Sequence, residues 1–433
     1  MEDNTRVWIA KDNPGIARIE EKCIKCGNCK TVCETKVGII YDQTKVKDPI
    51  CVHCGQCVLT CPTGALIPKY DYKTVLNYLN DTNYTVIVST SPAVRVALGD
   101  EFGFPPGSLV TGKMVEALRK LGFDYVFDVT FGADLTIMEE TDELIKRINN
   151  NGPFPMFTSC CPAWVKYMEM YFPELIPYLS STKSPIGMQG PAVKKYFCKL
   201  NNIDTNKVIH VCVTPCTAKK YEIKRPEITD VDYIITTSEL SMMLRECGIE
   251  FASLRDSEFD KVLGSASGGG QIFGNTGGVM ESALRTTYYK LTGSNPEPSF
   301  YTLSNIRAYD GAREAVVKIG DLDLKILVVH GIINLTQMKD KLKDYHFIEV
   351  MNCEGGCVGG GGQPLTAINR LEATRKERIK GLYQKDAESF LKHPHENPEI
   401  IDFYNHLKQR PEINKKVWLH TSYQNKAYLV QED

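Results

Sequence analysis

Apolar residues recur along most of this chain in two alternating modes. Short runs read as buried strands, and the stretches between them carry helical periodicity. Residues 84–89 (YTVIVS) and 125–129 (YVFDV) predict strands. Ser91-Pro92 opens a predicted helix through VRVAL, residues 114–122 (MVEALRKLG) form an amphipathic one, and residues 133–149 form a third. Further on, VDYIITT (231–237) precedes a helical SELSMMLRECG, and KILVVHGI (325–332) precedes NLTQMKDKLK. Three more apolar runs, at 155–157, 208–213 and 346–350, each stop just before a cysteine. The rhythm predicts an α/β domain of two lobes with mainly parallel sheets. The first 80 residues lack it and predict a small α+β module. The tail from about residue 366 is basic and helix-like, ending in Trp418-Leu-His420-Thr-Ser-Tyr423. The expected division is therefore 1–80, 81–365 and 366–433.

Composition narrows the class. A chain of 433 residues exceeds one ordinary domain, and 42% hydrophobic with 24% charged residues suits a soluble globular protein. A net charge of −2 gives no electrostatic case for nucleic acid. The opening MEDNTRVWIAKDN has no apolar core of a signal peptide, and no apolar run approaches a membrane span. Sixteen cysteines in such a chain point to a reduced, cytoplasmic, metal-bearing protein rather than to disulfide stapling.

Eight of those cysteines fall in two equal runs. Cys23, Cys26, Cys29 and Cys33 are spaced C-x2-C-x2-C-x3-C, and Cys51, Cys54, Cys57 and Cys61 repeat the spacing, with Pro62 after the second run and Glu34 after the first. This resembles the bacterial two-cluster ferredoxins, in which the fourth cysteine of each run serves the other cluster. The resemblance implies one [4Fe–4S] cluster on Cys23, Cys26, Cys29 and Cys61, and another on Cys51, Cys54, Cys57 and Cys33. Two zinc sites are the alternative. His53 lies inside the second run, where cysteine already supplies four ligands, so it reads as a surface or potential-tuning residue.

The other cysteine motifs are Thr158-Ser-Cys160-Cys161-Pro-Ala-Trp164, Thr214-Pro-Cys216-Thr-Ala-Lys219-Lys-Tyr-Glu222, and Glu349-Val-Met351-Asn-Cys353-Glu-Gly-Gly-Cys357 running on to Gln363-Pro364. Each sits just beyond a predicted strand end, where open α/β sheets place ligands. Zinc would more usually take its ligands as two close pairs. In type and order these motifs resemble the three signatures of the [FeFe]-hydrogenases, over roughly residues 84–433. The resemblance implies an H-cluster: a [4Fe–4S] unit on Cys161, Cys216, Cys353 and Cys357, joined through Cys357 to a diiron subsite bearing CO, cyanide and azadithiolate. Lys219 would donate to a cyanide, and Pro92, Ala93, Thr214, Met351 and Gln363 would touch the cofactor. Thr214 stands where many members carry methionine, and Ala93 where many carry serine.

Glu140, Glu143 and Arg147 share one helix face by spacing. That pattern alone fits a solvated acidic face. The resemblance instead implies a proton relay through Arg147, Glu143, Ser180, Glu140 and Cys160. The implied activity is reversible 2H⁺ + 2e⁻ to H2 in anaerobic hydrogen metabolism, with ferredoxin as electron partner and maturation proteins supplying the diiron unit. A hydrogen sensor of the same fold and an iron–sulfur assembly relative without the diiron unit are the other readings. Cys198, Cys212 and Cys247 read as buried thiols. GGGQIFG (268–274) lacks the context of a phosphate loop, and His395-Glu396-Asn397 reads as a helix boundary in a C-terminal segment that wraps the main domain.

Overall fold

The computed structural model of the chain describes residues 4–302 and 304–431. Two four-stranded sheets organise it. The first has the order β4-β3-β6-β7, made of β3 (Thr85–Thr90), β4 (Tyr125–Asp128), β6 (Val208–Thr214) and β7 (Tyr233–Thr236), all parallel. The second has the order β5-β10-β9-β8. In it β5 (Met156–Phe157), β10 (Phe347–Met351) and β9 (Leu322–His330) run parallel. The edge strand β8 (Ala312–Ile319) runs antiparallel to β9. A small antiparallel pair, β1 (Ile16–Arg18) and β2 (Leu66–Pro68), belongs to the N-terminal module.

The central strands are buried on both faces, which is why they read as continuous apolar runs rather than alternating ones. Val86 and Val88 pack to one side with Met114 and Leu118, while Ile87 packs to the other with Phe127 and Phe131. Trp164 and Ile348 anchor one face of the second sheet, and Met156 and Phe347 the other.

Several elements differ from expectation. The helix expected from residue 133 begins at Val129 and runs to Asn149. Asp128 ends β4 and caps this helix by accepting from Thr130 N at 2.9 Å. The same carboxylate holds the buried Arg95 guanidinium at 2.7 and 2.9 Å. The helix expected after Ser91 is only a 3-10 turn, Pro92–Val94, because the chain there turns inward to bring Arg95 to Asp128. The strand β8 and the long helix Gly278–Thr292 were not anticipated. GGGQIFG forms a short helix, Gly268–Gln271, and a 3-10 turn, both buried, and is no phosphate loop.

Candidate metal centre

Strand ends from both sheets open onto one cavity. β5 delivers Cys160 and Cys161, and Pro162 then starts the helix Pro162–Tyr171, as its fixed φ favours. β6 delivers Thr214 and Cys216, with Lys219 one turn on. β10 delivers Met351, Cys353 and Cys357. β3 delivers Ser91 and Pro92. All of these line the cavity. Ala93 does not: it is buried behind the wall, where Gln363 Nε2 donates to its carbonyl oxygen at 3.1 Å. Gln363 Oε1 is buried without a partner. Val129, Ile186 and Phe273 complete the apolar wall, and Ser91 and Asn352 add polar atoms to it. No local pattern marks the three apolar residues, because each arrives from an element away from the cysteine motifs.

The thiols suit a polynuclear cluster better than a single ion. Tetrahedral zinc at about 2.3 Å from each sulfur would hold its ligands roughly 3.8 Å apart. No three of the cysteine sulfurs lie within 4.8 Å of one another. Burial, then the charges of Cys216, Cys161 and Cys54, push the Cys353 thiol well up. Burial and then Cys161 push Cys216 up to about 12. Thiols so placed keep their protons unless a cationic centre stabilises the thiolates. The backbone comes close as well: a Cβ on Gly360 would sit 2.3 Å from Pro215 O, and one on Gly356 2.5 Å from Thr276 N.

Lys219 Nζ donates to Cys160 O at 3.0 Å and pairs with Glu222 at 2.6 Å. Burial disfavours its charge, but Glu222 and Cys216 outweigh that and raise its pKa. It remains a cation in the cavity wall.

The N-terminal cysteines separate into two groups. Cys23, Cys26, Cys29 and Cys61 line one small cavity, and Cys33, Cys51, Cys54 and Cys57 another. Lys25 and Gly27 in the first run, like His53 and Gly55 in the second, adopt positive φ. The loops curl so that amides turn inward: His53 N lies 3.3 Å from Cys51 Sγ. His53 is buried rather than on the surface. Its Nδ1 lies 3.1 Å from Asn13 Oδ1, its Nε2 2.8 Å from Lys166 Nζ, and Asn13 Nδ2 lies 3.6 Å from Cys51 Sγ. Between this module and the main cavity sits Gln56, which sequence reasoning missed. Its Nε2 donates to Cys353 Sγ at 3.2 Å and to Gly359 O at 2.9 Å.

Arg147 Nη2 donates to Glu143 at 2.6 Å, and Ser180 Oγ to Glu143 Oε2 at 2.9 Å. Glu140 follows, wholly buried, with neither carboxyl oxygen hydrogen-bonded. Burial, then the charges of Glu143 and Glu349, raise its pKa well above the usual range, and Ser180 only partly offsets this. Cys160 is also raised well above its usual range, by burial and then by Glu140. A second branch reaches Glu143 from an open cleft. Ser181 Oγ donates to Glu143 Oε2 at 3.3 Å and lies 2.9 Å from His420 Nδ1, and His420 Nε2 lies 3.0 Å from Glu139. Of the remaining cysteines, Cys198 and Cys212 are buried as expected, whereas Cys247 is exposed, at the C-terminal end of its helix. Asn397 caps the helix Pro398–Lys408, so the expected helix boundary is present.

The family described as iron only hydrogenase large subunit, C-terminal domain, matches residues 84–361, and the iron hydrogenase small subunit family matches residues 372–426. Iron hydrogenase 1 of Clostridium pasteurianum is 44% identical over 417 residues, spanning 90% of this chain and 72% of that one. The NADP-reducing hydrogenase subunit HndD of Solidesulfovibrio fructosivorans is 42% identical over 438 residues, spanning 94% and 74%. A solved structure of HydA(deltaEFG), described as revealing stepwise [FeFe]-hydrogenase H-cluster assembly, superposes with a TM-score of 0.70 at 36% identity, covering 82% of this chain and 98% of that one. A more distant relative, 30% identical over 78% of this chain, is the cytosolic Fe-S cluster assembly factor narfl of Xenopus tropicalis.

Proposed function

We propose, from the premise that this chain belongs to the iron-only hydrogenase family, that it catalyses reversible 2H⁺ + 2e⁻ to H2 and exchanges the electrons with a ferredoxin or a similar low-potential carrier. The observation that carries this reading is the single cavity in which Cys160, Lys219 and Met351 stand beside the four ligand cysteines. An assembly factor that handles cubanes alone has no use for those three groups.

Cys161, Cys216, Cys353 and Cys357 would hold the H-cluster, which when bound would supply the metal and the electrons for joining two protons. Lys219 would orient the diiron end with its ammonium donors, and Met351 would cover it with a soft thioether. Cys160 keeps its proton at neutral pH and stands ready to give it up at the cavity wall. Glu140 would resupply Cys160, and Glu143, hydrogen-bonded to Ser180 and Arg147, would resupply Glu140. The two N-terminal thiol quartets would hold [4Fe–4S] clusters as an electron path, in a three-part organisation of 1–80, 81–365 and 366–433. Among the described residues no helix is long and apolar enough to cross a membrane, and we place the protein in the cytoplasm. Its NADP-reducing relative makes a partner subunit the alternative to ferredoxin as electron acceptor.

The test is a fully matured Cys160→Ala protein. It should keep the infrared bands of CO and cyanide while losing at least about 10²-fold in turnover, the usual worth of an acid–base group. Wild-type protein that shows no such bands after maturation would favour the assembly reading. Near-normal turnover in the variant would remove Cys160 from the proton path.

A further inference from the structure

A second group of metal-ligand atoms lies outside the centre described above, in the C-terminal turn Pro394–Glu396. One ring nitrogen each from His393 and His395 and a carboxylate oxygen of Glu396 lie within 4.8 Å of one another. It is the only group of three or more such residues this close among the described residues. The local backbone produces the arrangement. His393 is extended and the next three residues form a 3-10 turn, which places positions three apart on one side.

The group is held from behind. The rings of His393 and His395 stack at 5.0 Å and 18°, and the Tyr289 ring covers His395 at 3.9 Å and 9°. Asn295 bridges the set: its Oδ1 lies 2.9 Å from His395 Nε2, and its Nδ2 donates to Glu396 Oε1 at 2.6 Å. Because Asn295 Oδ1 is an acceptor, His395 Nε2 carries the proton, and Nδ1 carries a lone pair. That Nδ1 is buried with no hydrogen-bond partner. His393 Nδ1 lies 2.7 Å from Glu396 Oε2. An amide that fixes both an imidazole tautomer and a carboxylate is the outer support metal ligands usually have.

A helix boundary alone does not require these groups. Asn397 Oδ1 caps the next helix by accepting from Glu399 N at 3.1 Å, and Asn397 Nδ2 donates to Asp134 at 3.0 Å. The cap is complete without either histidine.

We propose that His393, His395 and Glu396 bind a divalent late first-row cation, Zn²⁺ above all, with water completing the shell. Two imidazoles and one carboxylate are the ligand set of open zinc sites, at bond lengths of about 2.0–2.2 Å. Magnesium and calcium would demand more oxygen ligands. On binding, the His393 proton moves from Nδ1 to Nε2, which frees the Nδ1 lone pair for the metal, and the carboxylate turns from that proton to the metal. Burial favours the neutral, ligating imidazoles: it lowers His393 against the pull of Glu396, and with the charges of His393 and Lys290 it lowers His395 to about 4. The other charged groups acting on His393 are Arg285 and Asp386. The site would fasten the C-terminal segment to Tyr289 and Asn295, at the end of the helix Gly278–Thr292 and in the loop after it.

The test uses protein already loaded with its iron–sulfur clusters, titrated with ZnCl2 against a chromophoric chelator and read by zinc K-edge absorption. One zinc per chain is expected, in a nitrogen and oxygen shell with the outer scattering of imidazole, and with a rise in Tm. Glu396→Gln, at a half-exposed position that leaves the core untouched, and His395→Gln should each weaken binding by at least about 10-fold, and the double variant should abolish it. The Tm of each variant without zinc reports whether it has folded. Sulfur in the zinc shell at about 2.3 Å would place the metal on cysteines and overturn the proposal. Zinc uptake that is absent in the wild type, or unchanged in the double variant, would overturn it too.

Discussion

Glu140 is a carboxyl that the fold keeps neutral, and this has a sign in pH. Its folded pKa lies above the unfolded value, so the folded state binds the extra proton. Stability therefore falls as pH rises from the ordinary carboxylate range toward the raised value. Glu140→Gln removes that dependence. The variant's Tm should draw ahead of the wild type's as pH is raised from about 5 to 8, while its turnover drops by about 10²-fold or more. A Tm difference that stays flat with pH would mean that Glu140 ionises inside the protein at no cost. Gln56 would act on electrons instead. Its N–H donor at Cys353 Sγ would favour the reduced state of a cubane held there, because it would stabilise the more negative sulfur. Gln56→Leu should lower the potential of that cubane by on the order of tens of millivolts, measurable by an EPR-monitored redox titration. The place of Glu140 came only from the family resemblance, and that of Gln56 was not legible at all. The spacing of Glu140, Glu143 and Arg147 fitted a solvated face equally well, and nothing in CGQC says that the glutamine side chain crosses to another module.

At the scale of elements, the site is a set of strand ends, and this much could be read in advance. Apolar runs stopping before Cys160, Cys216 and Cys353 are local signals, and β5, β6 and β10 end within one residue of where those runs end. What could not be read depends on contacts between elements. The Asp128 cap was hidden inside an apolar run because the strand and the helix share that residue. The turn at Pro92–Val94 looked helical because nothing nearby reports the Arg95–Asp128 pair. The glycine run after Cys357 also meets a distant loop, which nothing in the run itself announces. A Cβ on Gly361 would sit 2.5 Å from Gly55 Cα and 2.6 Å from Cys54 O, so the glycine strip after Cys357 lies directly on the loop that carries Cys54. Gly361→Ala should force the two apart. We expect a loss of about 1–3 kcal/mol in stability, slower reduction of the cubane by an external carrier, and unchanged CO and cyanide bands. Reduction at the wild-type rate would show that electrons enter elsewhere.

At the scale of the whole molecule, the N-terminal module and the main domain are expected to separate by function. Cys57→Ser should slow carrier-linked turnover while a small dye that reaches the cavity directly still supports it, and the diiron infrared bands should persist. Loss of those bands would assign the module a part in building the site. Composition and cysteine spacing suggest the proposed division into parts, whereas the seating of the N-terminal cysteine loops on the rest was not legible, because it rests on contacts such as Lys36–Glu354 and Arg375–Gln56 between residues roughly 320 positions apart. One feature of that seating reaches beyond catalysis. Cys216 hangs from the first sheet, and Cys161, Cys353 and Cys357 hang from the second. A cubane on these four would therefore be a rivet driven through both lobes. Without it, the lobes meet through side chains and a few backbone hydrogen bonds, such as Gly362 N to Pro215 O at 2.8 Å, and the seam would be easier to part. Once it is set, they cannot part without breaking iron–thiolate bonds. With a cubane on these four, iron supply would govern how long the polypeptide survives as well as how fast it works, and a cell starved of iron would lose the chain to proteolysis before it ever measured a loss of rate.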